Sequence, residues 1–361
     1  MKKYLVVTCL LIFITLESYS QGCVAIRSSG VCTMDHPMSD SAARSWQLNT
    51  GYRYFKSFRH FKGKEEQKER LVANTEVINW QSTLDISVVR QFNQRWSMSV
   101  GLPLIYNDRS SLYEHGRTQR HVSSASSIGD VRISANRWMV DPGKATKGNF
   151  QLGLGVKLPT GAYKATDEFY NVGPGGTSEI RPVDQSIQPG DGGLGIITEL
   201  NGFLNISENL GSYANFYYLI NPRETNGTRT YREVLSATLA NENIMSVTDQ
   251  FMARVGLNYN FPGKMHNLSL DAGGRIEGIP VEDLVGGSQG FRRPGYVVSV
   301  EPGLRYRFSK LNFFASVPVA MSRNRTQSVT DRENSVTRNV FVQGDAAFAD
   351  YSLNMGLSYR F

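Results

Sequence analysis

The chain ends on Tyr351-Ser-Leu-Asn-Met-Gly-Leu-Ser-Tyr-Arg-Phe361, and this stretch decides the fold class. Tyr351, Leu353, Met355, Leu357, Tyr359 and Phe361 take the odd positions, and Ser352, Asn354, Gly356, Ser358 and Arg360 the even ones. Side chains alternate faces along a strand, so the segment has one apolar and one polar face. A soluble sandwich strand alternates in the same way but rarely ends the protein on an exposed Phe. On a transmembrane barrel the same pattern supplies lipid contact and an interfacial aromatic girdle, and its length matches the tilted strand of about 9–11 residues that spans a bilayer.

Working outward, the period of two recurs along the chain. Trp46, Leu48, Thr50, Tyr52 and Tyr54 oppose Gln47, Asn49, Gly51 and Arg53. Phe150, Leu152, Leu154, Val156 and Leu158 oppose Gln151, Gly153, Gly155 and Lys157, and Phe251 to Phe261 repeats the scheme. About twelve strands are expected, at 45–56, 76–91, 95–106, 128–140, 149–159, 191–206, 211–221, 246–260, 267–278, 295–308, 311–321 and 346–361. Short turns such as Asp141-Pro-Gly143 and Pro262-Gly263 alternate with long polar loops at 57–75, 107–127, 160–190, 222–245, 279–294 and 322–345. Short turns on one side and long loops on the other predict an all-β chain: a closed antiparallel transmembrane β-barrel with short periplasmic turns and long extracellular loops. Closure follows physically, because no sheet edge can be left unpaired in hydrocarbon.

Composition agrees. The 361 residues are 40% hydrophobic and 20% charged, with 18 Phe, 17 Tyr and 4 Trp. A mean hydropathy of -0.32 excludes a helical polytopic membrane protein, and the aromatic load excludes a disordered chain. A barrel averages a lipid face against a wet face and so gives both numbers. The net charge of +7 raises nucleic acid as a partner, but no basic cluster supports it. In the densest run, Lys62 to Arg70, acids interleave with the bases, as on a solvated loop.

The N-terminus reads as an export signal. Lys2 and Lys3 precede an apolar stretch, Tyr4 to Leu16, that is too short to cross a bilayer. Ser18-Tyr-Ser20 places small residues before a cleavage site at Gln21. A lipoprotein reading would acylate Cys23, but Ser20 stands where an aliphatic residue is needed. The expected organisation is signal peptide 1–20, periplasmic segment 21–44 and barrel 45–361, integral in the outer membrane of a Gram-negative-type bacterium. Expected partners are outer-membrane lipid, the barrel-assembly machinery (with 351–361 as the assembly strand) and a small-molecule solute.

Within 21–44, Cys23 and Cys32 are expected to form a disulfide in an oxidising compartment. Cys32, Met34, His36 and Met38 fall on alternate residues, and thiolate, thioether and imidazole ligands suit Cu(I). A copper-handling role for Met34, His36 and Met38 therefore competes with the plainer reading of a disulfide followed by a polar tether. Otherwise no cofactor is expected.

The polar faces would carry Arg53, Asp85, Asp130, Arg132, Lys157, Glu199, Arg254, Asp271, Arg275, Glu277, Glu301, Arg305, Arg307 and Arg360 into the lumen. Arg or Lys at the lipid midplane would cost about 2–4 kcal/mol. The plainer reading pairs these charges to hold the barrel round, and the sharper one has some of them line a wet path. Loop 160–190, rich in Gly and Pro, is the candidate constriction. An enzyme is not expected: His36, His60, His115, His121 and His266 fall in the N-terminal segment, three outer loops and a turn, and none sits in a recognisable nucleophile signature.

Three segments, Gly129-Asp-Val-Arg-Ile-Ser-Ala-Asn-Arg-Trp138, Gly155-Val-Lys-Leu-Pro-Thr-Gly161 and Pro189-Gly-Asp-Gly-Gly-Leu-Gly195, resemble in order and spacing the outer-membrane channels named for the MetA pathway of phenol degradation. The resemblance covers the middle of the chain and the barrel format. It implies an exported barrel that passes small, aromatic compounds, and implies no catalytic residues. Three functions therefore stand as expectations: a channel for a small hydrophobic or aromatic solute, a copper-handling barrel, and a plugged structural or docking barrel.

Overall fold

Strand and turn propensities resolve into a closed sheet in the computed structural model, which describes residues 44–361 apart from 233, 234 and 236. Twelve staves run in chain order: β1 (Trp46–Lys62), β2 (Ile78–Gln91), β3 (Trp96–Ser111), β4 in two pieces (His121–Ile128 and Arg132–Trp138), β5 (Gly148–Lys157), β6 (Gly195–Asn205), β7 (Leu210–Ile220), β8 (Gln250–Asn260), β9 (Leu268–Ile279), β10 (Gly295–Phe308), β11 in two pieces (Leu311–Ser316 and Val319–Asn324) and β12 (Ala346–Arg360). Each pairs antiparallel with its sequence neighbours, and β12 pairs with β1 to close the cylinder. At the seam Trp46 and Phe361 exchange both backbone hydrogen bonds, at 3.0 Å each. No helix among the described residues is long and apolar enough to cross a membrane, which says nothing of strands.

The burial pattern is inverted relative to a water-soluble protein. Leu154 is 64% exposed and Val255 63%, while Arg275 is 3% exposed and Glu277 not at all. Apolar side chains therefore face outward and charges face in, as the alternation dictates when the outer solvent is lipid. At the short-turn end, exposed Trp46, Trp96, Tyr259, Phe308, Tyr359 and Phe361 sit at strand termini. The Arg90 and Arg137 guanidiniums lie 4.9 and 5.3 Å from the Trp46 and Trp96 rings. Amphipathic aromatics suit that boundary, with one side apolar and the other wet.

The structure departs from the sequence reading at the long-loop end. Residues 57–62, 107–111 and 121–127, expected in loops, are strand. Ser57, Arg59, Asn107, Arg109 and Ser123 are inner-face side chains, so their polarity reflects an inward position rather than a loop. His60 and His121 accordingly lie on β1 and β4, not in loops. Short hairpins, Thr166–Phe169 with Glu179–Pro182 and Thr225–Arg229 with Ile244–Ser246, rise within two of the long connections. The β11–β12 connection holds a helix, Val329–Arg338, whose capping box pairs Ser328 with Asp331 in both directions (3.1 and 2.9 Å). The signal peptide, the Cys23–Cys32 disulfide and the Met34, His36 and Met38 ligands lie outside the described residues.

Two staves are interrupted. In β11 the break falls at Val317-Pro318, where proline has no N–H to give the ladder. In β4 it falls at Gly129-Asp-Val131, and that interruption builds the site described next.

Candidate functional site

From the end of β5 the chain turns at Leu158-Pro-Thr-Gly161 and travels inward, returning through Pro189-Gly-Asp191 to β6. Asp130, in the gap of β4, receives both ends. Gly161 N donates to its Oδ1 at 2.9 Å and Asp191 N to its Oδ2 at 3.1 Å. The Lys157 ammonium pairs with Asp191 and lies 3.7 Å from Asp130. Thr160 Oγ1 accepts from Val131 N at 2.8 Å and donates to Gly129 O at 3.3 Å. Gly161 and Gly190 touch backbone to backbone: a Cβ on Gly190 would stand 2.6 Å from the Gly161 carbonyl. Only glycine permits that approach. The three motifs are thus one clasp, assembled from chain segments some sixty residues apart (|i−j| is 61 for Asp130 and Asp191).

Between the clasped ends, residues 183–188 cross the interior. Gln81 and Asn107, on the inner faces of β2 and β3, donate to the Ser186 and Ile187 carbonyls at 3.0 and 3.2 Å. Arg109 donates to Ser186 Oγ at 3.1 Å and pairs with Asp184 at 3.3 Å. Val183 and Ile187 are wholly buried against Ala125 of β4. On the other side Gln185 donates to the Ser246 carbonyl, just before β8, at 2.7 Å. The segment therefore forms a shelf held between the β2–β3 wall and the hairpin that precedes β8.

Above the shelf is a cavity of about 940 Å³ lined by loop residues and the upper ends of the strands. Below it lies a charged layer. Arg53 on β1 pairs with Glu277 on β9 at 2.8 Å, across an interior chord that skips three staves. Glu277 also holds Arg275 (2.6 Å), Arg275 approaches Glu301 (3.8 Å), and Arg254 reaches Glu301 at 3.5 Å. Asp85 pairs with Arg132, within electrostatic reach of Glu199. Asp271 pairs with Arg305 at 2.9 Å. Arg360 donates to Gln47 at 3.2 Å, and Arg307 is exposed at the end of β10, apart from the network.

Sequence reading missed Arg109, Glu114, Asp184, Gln185 and Asp191. Arg109 continues the inner-face series of β3 two residues beyond Asn107, and extending that strand would have exposed it. The loop residues carry no periodic signal.

Behind Tyr231, which lines the cavity, packs an aromatic cluster. His115 stacks on Phe169 (5.3 Å), His121 on Tyr170 (4.3 Å) and Phe169 on Tyr231 (5.8 Å). Burial, with His121 beside it, lowers the His115 pKa to about 4. His115 Nε2 stands 3.4 Å from Ser123 Oγ, a contact that resembles a nucleophile and its base. Its Nδ1, however, accepts from Tyr170 N at 3.2 Å, which leaves the ring proton on Nε2. This nitrogen then donates to Ser123 and has no lone pair with which to take its proton. Among the described residues no cluster of His, Cys, Asp and Glu could hold a metal ion.

No family model matches the sequence, and no curated protein does. Among solved structures, an outer membrane channel from Pseudomonas putida F1 aligns at TM-score 0.57 and 10% identity, over 92% of this chain and 100% of that one. That likeness establishes the fold class, an outer-membrane-type barrel. Looser likenesses reach a monoaromatic hydrocarbon channel (TM-score 0.45, 10% identity, 96% of this chain and 99% of that one) and the β domain of a Bordetella autotransporter (0.44, 13%, 88% and 100%).

Proposed function

We propose that this chain is an outer-membrane channel that passes a small solute past an inward-folded constriction. One observation carries the reading: a loop clasped by Asp130 forms a shelf across the barrel interior, with a cavity of about 940 Å³ above it. A twelve-stranded barrel encloses more space than its inward side chains fill, unlike one of eight strands. Spending a long loop on narrowing that space makes physical sense where traffic through it is to be selected. Ligand pockets of this volume suit small molecules. The resemblance of the clasp segments to channels associated with phenol degradation favours small aromatic compounds, and the solved barrel from Pseudomonas putida F1 is itself described as a channel.

The second reading is a sealed barrel with a structural or docking role, and the Arg53–Glu277 bridge across the interior favours it. Reconstitution into planar bilayers separates the two. Discrete conductance steps support the channel. A folded, inserted and electrically silent barrel that also fails to admit solute in proteoliposome swelling supports the plug.

A further inference from the structure

The cavity above the shelf is lined by six arginines and four carboxylates. Its lining includes the carboxylates of Glu114, Asp184, Asp191 and Asp345, and each already has a cation. Arg109 holds Glu114 at 2.7 Å and Asp184 at 3.3 Å, Lys157 holds Asp191, and Arg70 holds Asp345 at 2.5 Å. Among the lining arginines, Arg181 and Arg293 are paired with Glu179 (2.7 Å) and Glu242 (3.0 Å). Arg117 is exposed, 5.3 Å from the Tyr113 ring, whereas Arg232 is half-buried. Arg232 lies within electrostatic reach of Glu114 and Asp184, but its Nη1 is buried without an acceptor. Its guanidinium stands 4.6 Å from the Tyr231 ring and 5.6 Å from the Phe291 ring. Ring faces steady a cation but leave its N–H groups unsatisfied. A buried donor without a partner is costly, and such a group in a native structure calls for an explanation.

We propose that Arg232 is the recognition residue of an organic-anion site in this cavity, and that the ligand is a small carboxylate carrying a flat apolar body. A carboxylate satisfies a guanidinium fork with two parallel hydrogen bonds. The rings of Tyr231 and Phe291 supply apolar walls beside it and exclude competing water. The site names a solute class for the channel reading and, in that role, rests on it.

The test uses the full chain in detergent at low ionic strength, with benzoate as probe and benzamide as its uncharged isostere. Benzoate binds saturably by calorimetry, at least about tenfold tighter than benzamide, and R232Q abolishes the difference. Equal binding of the two probes, or wild-type affinity in R232Q, overturns the site. Inorganic phosphate that displaces benzoate at equal concentration overturns the carboxylate class. In bilayers benzoate reduces the small-ion current of the wild type and not of R232Q. A silent barrel that still binds benzoate through Arg232 refutes the channel and keeps the site. A conducting barrel indifferent to benzoate refutes the site and keeps the channel.

Discussion

Arg53 and Glu277 lie 224 residues apart and meet at 2.8 Å inside the barrel, with side chains 8% and 1% exposed. Three staves separate their strands along the wall, so this bond spans the interior rather than stitching neighbours. Removing one partner of a buried pair leaves an uncompensated charge, which costs far more than the intact pair contributes. Glu277→Ala strands Arg53 and Arg275 together and is expected to lower stability by about 3 kcal/mol in urea unfolding from vesicles. A cycle with Arg53→Ala should show a coupling of about 0.5–3 kcal/mol. Additive single and double variants would mean that the bridge does not form in the membrane.

The clasp makes a sharper demand. A Cβ at Gly190 would sit 2.6 Å from Gly161 C and O, so Gly190→Ala must push the two loop ends apart, at a cost of about 1–3 kcal/mol. The barrel itself should survive. The expected signature is faster trypsin cleavage at Lys164, an exposed site in the same loop that is followed by Ala165, with unchanged heat-modifiable gel mobility. Unchanged cleavage would show that the close approach is not maintained.

The aromatic cluster should respond to pH through His115. Burial and the neighbouring His121 lower its pKa from 6.5 to about 4. The unfolded or displaced loop therefore binds more protons between these values, and the packing is at full strength above pH 6.5. It weakens as pH falls from 6.5 towards 4, by about 1–3 kcal/mol in total. Proteolysis of the 112–120 and 166–182 connections should accelerate over that window. His115→Phe keeps a ring against Phe169 and removes the titration, so its cleavage rate should be flat with pH. An identical pH profile in wild type and H115F would refute the assignment.

The seam depends on Phe361. Phe361 gives and receives a 3.0 Å backbone bond with Trp46 and stacks 5.9 Å from Tyr359. Deleting it opens the end of the β1–β12 ladder, whereas Phe361→Ala keeps the backbone pair and removes only a ring. The deletion should lower the fraction of heat-modifiable, folded barrel in the outer membrane more than the Ala variant does. Equal yields for both would show that the closing pair contributes nothing to assembly.

Much of this architecture was legible from side-chain period alone. β12, β5 and β8 could be read because lipid on one face and water on the other force strict alternation, and the short turns gave the count. The top of the barrel was not legible. His121–Ile128 is rich in Ser, a residue with no strong strand preference, and is held as strand by its ladder to β3. The three motif segments were visible as strings, but their meaning is tertiary. Asp130 matters because two distant N–H groups converge on it, and no spacing rule encodes that. Arg232 was invisible for the opposite reason: what marks it is a buried Nη1 with no acceptor.

The central claim is that an inward loop clasped by Asp130 sets the width of a conducting path. Single-channel recording of wild type and Asp130→Asn in planar bilayers tests it most directly. Asn keeps the shape of the carboxylate but loses the charge facing Lys157 and the second acceptor for the loop's N–H groups. The account predicts discrete openings in the wild type, and larger, noisier ones in D130N. A wild-type barrel that is folded and inserted yet passes no current, with D130N equally silent, would contradict it.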